Sequence, residues 1–172
     1  MTDLPSQIST QVYFIRHGIA AERGVYHDDS QRPLVEKGRL KTAKIAQRLM
    51  ELGLEFNTLL TSPFIRATQT SELLCQTGLA EKYQIFEPLA PGGNLEHWLY
   101  WLITWQSVKR PTLALVGHEP DLSNWAQQLV HGDNHHQWVL KKAGIIGLEV
   151  PDGQVAIGHS QLFWLAPPRL IL

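Results

Sequence analysis

Cysteine is nearly absent from this chain of 172 residues. Cys75 stands alone, which excludes an internal disulfide framework and fits a reducing compartment. No apolar run approaches membrane-spanning length, so no membrane span is expected. Charge of either sign is in balance: 15 Lys and Arg against 16 Asp and Glu give a formal net charge of −1. Such a chain has no overall field to draw in nucleic acid or an anionic membrane surface. Internal repeats and low-complexity tracts are missing too. Met1 to Thr10 is polar, with Asp3 and Pro5, and lacks the basic start and apolar centre of a signal peptide. It reads as a short loose arm on a cytoplasmic protein. The length suits a single domain over residues 1–172 with a full core.

What the chain does have is apolar runs that stop abruptly in ionisable groups. Gln11 to Ile15 is short and rich in β-branched and aromatic residues, the mark of a buried strand, and it ends in Arg16-His17-Gly18. Thr112 to Gly117 repeats the pattern and ends in His118-Glu119. In open α/β sheets ligands sit at the carboxyl ends of strands. Arg and His delivered there suit an anion, although a merely polar strand end has the same appearance.

Between these runs, the pattern predicts a helix over Glu36 to Leu52, with Ile45, Leu49 and Leu52 on one face and Gly53 as its stop. A strand over Thr58 to Thr61 follows, and strand–helix–strand argues for a parallel crossover. Ser62-Pro63 has the form of an N-cap and first helical proline for a helix running to about Thr77. That helix is expected to bury Phe64, Ala67, Ser71, Leu74 and Cys75, which makes Cys75 a core thiol. Arg66 falls in its first turn, off that face, where a cation opposes the helix dipole. A bound anion resolves the conflict, and simple solvent exposure of Arg66 is the alternative.

Further along, Gln84 to Phe86 is a candidate short strand, and Leu95 to Gln106 a helix with a Trp98/Trp101/Trp105 stripe beside a Leu95/Leu99/Leu102 stripe. Pro120 opens a helix through Val130. Ala143 to Val150 and Gln154 to His159 read as a hairpin across Pro151-Asp152-Gly153, with Leu162 to Leu165 extending the sheet. Gly18 to Arg32 is a long polar loop in which Arg23, His27, Asp28 and Arg32 face either a substrate or solvent. His131, Asp133, His135 and His136 cluster as zinc ligands sometimes do, but in a Gly- and Asn-containing loop without a second cluster; a solvated loop is the preferred reading, and no metal is expected.

Two cations and two imidazoles at one sheet edge, without a carboxylate cluster, suit a phosphoryl dianion. Four ordered segments carry a resemblance: Arg16-His17-Gly18, Arg32-Pro33-Leu34-Val35-Glu36-Lys37-Gly38, Ser62-Pro63-Phe64-Ile65-Arg66-Ala67-Thr68-Gln69-Thr70, and Val116-Gly117-His118-Glu119-Pro120. Together they resemble the histidine phosphatase superfamily and, within it, the SixA-type phosphohistidine phosphatases, over Val12 to Pro168. The resemblance implies a three-layer α/β/α domain with a mostly parallel central sheet, phosphoglycerate mutase-like. It implies His17 as nucleophile, Arg16 and Arg66 clamping the phosphoryl oxygens, and His118 binding the group opposite His17, with no cofactor.

Two departures stand out. Val35 occupies a position where Ser or Thr usually caps the helix, weakening its start by roughly 1 kcal/mol. The motif that supplies a carboxylic general acid in larger relatives is missing; Glu87 is the nearest candidate, with Glu119 and Glu96 behind it. An imidazole leaving group needs an acid less than an alkoxide does, which favours a phosphorylated protein, in particular a His-containing transfer domain. The alternatives are a small-molecule phosphomonoesterase or phosphoglycerate mutase-like enzyme, and a binding module without turnover.

Overall fold

The computed structural model describes residues 9–106 and 112–172. Six strands form one sheet: β1 (Thr10–Arg16), β2 (Thr58–Thr61), β3 (Gln84–Ile85), β4 (Thr112–Gly117), β5 (Ile145–Val150) and β6 (Gln161–Ala166), in the order β3-β2-β4-β1-β5-β6. The first four run parallel to one another, while β5 pairs antiparallel with both β1 and β6. The helices are α1 (Glu36–Glu51), α2 (Ile65–Gln76), α3 (Leu95–Gln106), α4 (Asp121–His131) and the short α5 (Pro168–Ile171).

Alternation along the central strands builds two cores. Val12 and Phe14 of β1, with Leu113 and Leu115 of β4, pack against Trp98, Leu102, Trp125 and Leu129 of α3 and α4. Tyr13 and Ile15, with Ala114 and Val116, face Ile45, Leu49, Leu74 and Ile171 of α1, α2 and α5. A sheet buried on both faces needs the near-continuous apolar runs that these strands show. Both stripes of α3 are used: Leu95, Trp98, Leu99, Leu102 and Trp105 are all buried. No helix among the described residues is long and apolar enough to cross a membrane.

Several expectations need correction. Residues 1–8 of the expected arm lie outside the described residues, but Thr10 belongs to β1 and is buried. Leu52 does not share the buried face of α1; it caps the helix end, exposed, and Gly53 at φ +81° turns the chain away. Helix α2 begins at Ile65, not at Ser62-Pro63, and Phe64 and Cys75 are only half-buried. Pro120 precedes α4 as its N-cap rather than opening it. The strand partner of β5 is β6, not Gln154–His159. That segment is drawn onto α4 instead, where Gly158 and Ser160 donate their N–H groups to the carbonyls of Gln128 and Leu129. Free carbonyls at a helix end compete with strand pairing for those donors.

Candidate active site

Register brings three strand ends to one edge. Arg16 pairs with Gly117, and Thr61 with Val116. The ladder continues one step further, with His17 N–H to Gly117 O at 3.1 Å and Ser62 N–H to Val116 O at 2.9 Å. His17, Ser62 and His118 therefore stand side by side just past β1, β2 and β4. The rings of His17 and His118 are 5.2 Å apart, and both residues are buried.

Each ring is oriented by a specific partner. His17 Nδ1 lies 2.7 Å from Gly18 O, a pure acceptor, so Nδ1 carries the proton and Nε2 keeps its lone pair. Burial, aided by His118, Arg66 and Arg16, holds the His17 pKa well below the ordinary imidazole value, against the raising effect of the Gly18 bond. His118 Nε2 meets Ser62 Oγ at 2.7 Å, and its Nδ1 is buried without a partner. Burial first, then Arg66, pushes its pKa down to about 3. Ser62 Oγ also accepts from the Phe64 N–H at 3.3 Å. The hydroxyl expected to cap α2 thus serves His118 and the residues before the helix.

Arg66 is not off the buried face of α2, as its position suggested; it is 2% exposed. Its Nε points at His17 Nε2 at 3.3 Å, while Nη1 donates to Asp29 O at 2.7 Å and Nη2 to Asp29 Oδ2 at 2.9 Å. Asp29 Oδ1 also takes Arg32 Nε at 2.6 Å, so one half-exposed carboxylate joins two buried guanidiniums. These hydrogen bonds, Arg32 first, hold the Asp29 carboxyl below its usual range. Arg32 turns inward, its Nη1 on Ala21 O at 2.6 Å. Phe64 completes the wall, with Arg66 Cζ 4.9 Å from its ring centroid and its ring 5.2 Å from His118.

Arg16 lies at the end of β1 with Nη1 on Leu140 O at 2.9 Å and its Nε buried without a partner. Glu119 acts on it electrostatically but is bound by Ser123, whose N–H and hydroxyl donate to the two carboxylate oxygens. Burial raises the Glu119 pKa, against those bonds and Arg16. Glu87 lies exposed on the short 3-10 turn Glu87–Leu89, with no hydrogen bond or ion pair to His17, His118, Arg16 or Arg66. Glu96 is exposed in the first turn of α3.

The motif residues without chemistry hold this assembly together. Thr70 Oγ1 accepts the Gly18 N–H at 3.0 Å and donates to Arg66 O at 2.8 Å, and Gln69 Oε1 accepts the Leu34 N–H. A Cβ on Gly18 would stand 2.4 Å from Thr42 Oγ1, and one on Gly38 2.0 Å from Ile19 O, so α1 can lie against the segment after His17 only with glycine at both places. Val35 makes no side-chain cap, as expected, but its N–H is taken by Ile19 O. In the 131–136 loop the His131 and His136 rings are 3.9 Å apart and Asp133 lies 3.8 Å from His136; no group of three or more potential ligands is gathered for a metal among the described residues.

Two residues of this site escaped the sequence analysis. Asp28 was singled out, but it caps the turn Asp29–Gln31 by accepting the Ser30 N–H. Its neighbour Asp29 reaches Arg66. Phe64 was placed in the core and instead faces Arg66 and His118. The only signal for Asp29 was its position three residues before Arg32.

The model of the histidine phosphatase superfamily (branch 1) matches residues 12–89. An uncharacterized protein of Picosynechococcus sp. is 45% identical over 163 residues, 94% of this chain and 99% of that one. The structure of the protein histidine phosphatase SixA complexed with tungstate superposes with a TM-score of 0.83 at 23% identity, covering 95% of this chain and 100% of that one. The α-ribazole phosphatase of Shigella flexneri does so at 0.73 and 14%, covering 92% and 97%.

Proposed function

Because the chain belongs to the histidine phosphatase superfamily, we propose that it is a phosphohistidine phosphatase acting on a signalling protein, a His-containing transfer domain, in the cytoplasm, with residues 1–172 working as one domain. The observation that carries the reading is the state of His17. A buried imidazole, held neutral and fixed by Gly18 O, offers its Nε2 lone pair toward the space it shares with Arg66 and His118. That is the form a nitrogen nucleophile requires.

In the first step His17 Nε2 attacks phosphorus, and the bond from phosphorus to the partner's imidazole nitrogen breaks. The departing nitrogen takes a proton from water. In the second step water attacks the phosphorylated His17, the new P–N bond breaks, and inorganic phosphate leaves with His17 Nε2 restored. Arg66 must release His17 Nε2 for the attack and turns that N–H to a phosphoryl oxygen. Arg16 supplies the second guanidinium. The Ser62 hydroxyl, which accepts from Phe64, donates to His118 Nε2 and leaves the unpartnered Nδ1–H as a donor for the same group. Fixed donors in a buried site favour the charge that develops on the transferring phosphoryl without the solvent having to reorganise. Glu87 has no contact that supports it as acid. Glu119, with its raised pKa, is the alternative carboxyl.

The test is turnover of a phosphorylated His-containing transfer domain beside a panel of phosphomonoesters. Release of phosphate from the protein, with acid-labile, base-stable phosphate on the enzyme during turnover, supports the reading. Efficient hydrolysis of one small phosphomonoester, with the phosphoprotein untouched, would replace it with a small-molecule phosphatase.

A further inference from the structure

Beside the site lies a cavity of about 770 Å³ that shares Arg16 as a wall. Its other charged lining residues are Lys41 of α1, Lys141 and Lys142 before β5, and Arg169 of α5. No carboxylate lines it, and among the described residues none of these four cations has an ion pair. A chain of net charge −1 thus gathers five cations from four separated segments into one depression. Its apolar lining is Ile19, Pro167, Pro168 and the exposed Val139.

The cavity meets the site at Arg16. The bond from Arg16 Nη1 to Leu140 O fixes the residue just before Lys141 and Lys142 against the end of β1. Burial, then Arg16, Arg32, Arg23 and Arg66, lowers the Lys142 pKa, so its ammonium lies within the field of the phosphoryl site. Arg16 is thus common to this depression and to the strand end that leads into His17.

Resting on the phosphatase reading, we propose that this cavity is a docking site for an acidic segment of the phosphorylated protein substrate. A lone phosphoryl group is served by His17, His118 and the arginines and needs none of Lys41, Lys141 or Arg169. The volume accommodates several side chains, and cations interspersed with apolar residues match a segment in which Asp and Glu flank one or two aliphatic residues. Complementary charge of this kind steers encounter and selects the partner.

The experiment compares wild type with the triple variant Lys41→Glu/Lys141→Glu/Arg169→Glu. Phosphoramidate, a small donor with a P–N bond, reports the phosphoryl site alone, and its turnover stays unchanged, which also shows that the variant folds. Turnover of the phosphorylated transfer domain falls on the order of tenfold in kcat/KM, mainly through KM. In parallel, a fluorescent peptide rich in Glu with two Leu and no phosphate binds wild type in the presence of tungstate and does not bind the variant. Peptide binding of this kind with no phosphoprotein turnover by wild type leaves the docking site standing and removes the phosphatase reading. Equal phosphoprotein turnover by both proteins, or peptide binding that the triple variant retains, overturns the docking site. So does binding of inorganic pyrophosphate where the peptide does not bind.

Discussion

Asp29→Asn separates what holds the site together from what attracts the substrate. The carboxylate is half-exposed, yet it serves the buried Arg32 and Arg66 at once. Removing one partner of a fully buried pair costs about 3–5 kcal/mol; exposure of Asp29 screens much of this, and Asn keeps one acceptor oxygen. The expected loss is about 1–2 kcal/mol, seen as a lower urea midpoint at pH 7. Oxyanion binding moves the other way. Arg66 Nη1 stays anchored, because its acceptor is the backbone oxygen of residue 29. Nη2 loses its competing carboxylate, and a negative charge disappears beside the phosphoryl site. One charge removed near a dianion at a half-exposed position is worth about 1 kcal/mol, so tungstate binds roughly fivefold tighter. Isothermal titration of both proteins measures this. Weaker tungstate binding together with lower stability would refute the argument, because the carboxylate would then be orienting Arg66 rather than competing for it.

Other consequences are direct. His17→Ala lowers phosphoprotein turnover by at least ~10³-fold and abolishes the acid-labile enzyme phosphate; residual turnover near wild type would mean that water attacks directly. Activity persists in excess EDTA, since the guanidiniums of Arg16 and Arg66 supply the positive charge that metals provide elsewhere; loss in chelator with recovery on added zinc or magnesium would reverse this. His17 and His118 are both depressed in the folded chain, His118 to about 3, so the unfolded chain binds more protons below about pH 6.5. Stability is full above that pH and falls toward pH 3, each histidine adding up to about 1.4 kcal/mol per pH unit; His118→Gln flattens the slope in urea melts from pH 4.5 to 7.5, and an unchanged slope would contradict the assignment. Gly38→Ala forces a methyl against Ile19 O and costs on the order of 2–3 kcal/mol, read by thermal melting; an unchanged Tm would show that α1 shifts freely.

Legibility of the fold followed from where local pattern and tertiary need agree. Thr58–Thr61, Thr112–Gly117 and Leu95–Gln106 were readable to the residue, because strands buried on both faces leave unbroken apolar runs and a helix with two buried stripes leaves a dense apolar pattern. Ser62 misled because its hydroxyl has two possible employments, and His118 claims it. Gln154 to His159 misled because Val155, Ala156 and Ile157 look like a strand, while their segment satisfies the end of α4. The meeting of His17, His118 and Arg66 was legible from strand ends and motif order. The seating of Arg66 was not: burial of a guanidinium in a first turn depends on Asp29, and nothing local tells which of two adjacent aspartates a loop will turn inward.

The placement of β1 between β4 and β5 sets the site on two clocks. The amides of Val12 to Ile15 are enclosed by ladders on both sides, which places them among the groups expected to exchange only through large openings. Residues 22–27 are exposed and lie outside any ladder, and the turn Asp29–Gln31 that follows them has no buried residue. Exchange there proceeds through small local openings. His17 follows directly on the strand held by two ladders, whereas the counter-charge of Arg66 sits on a turn outside them. An opening of that turn frees a guanidinium and leaves the strand that carries His17 in place, so a receptive arrangement asks for no loosening of the sheet.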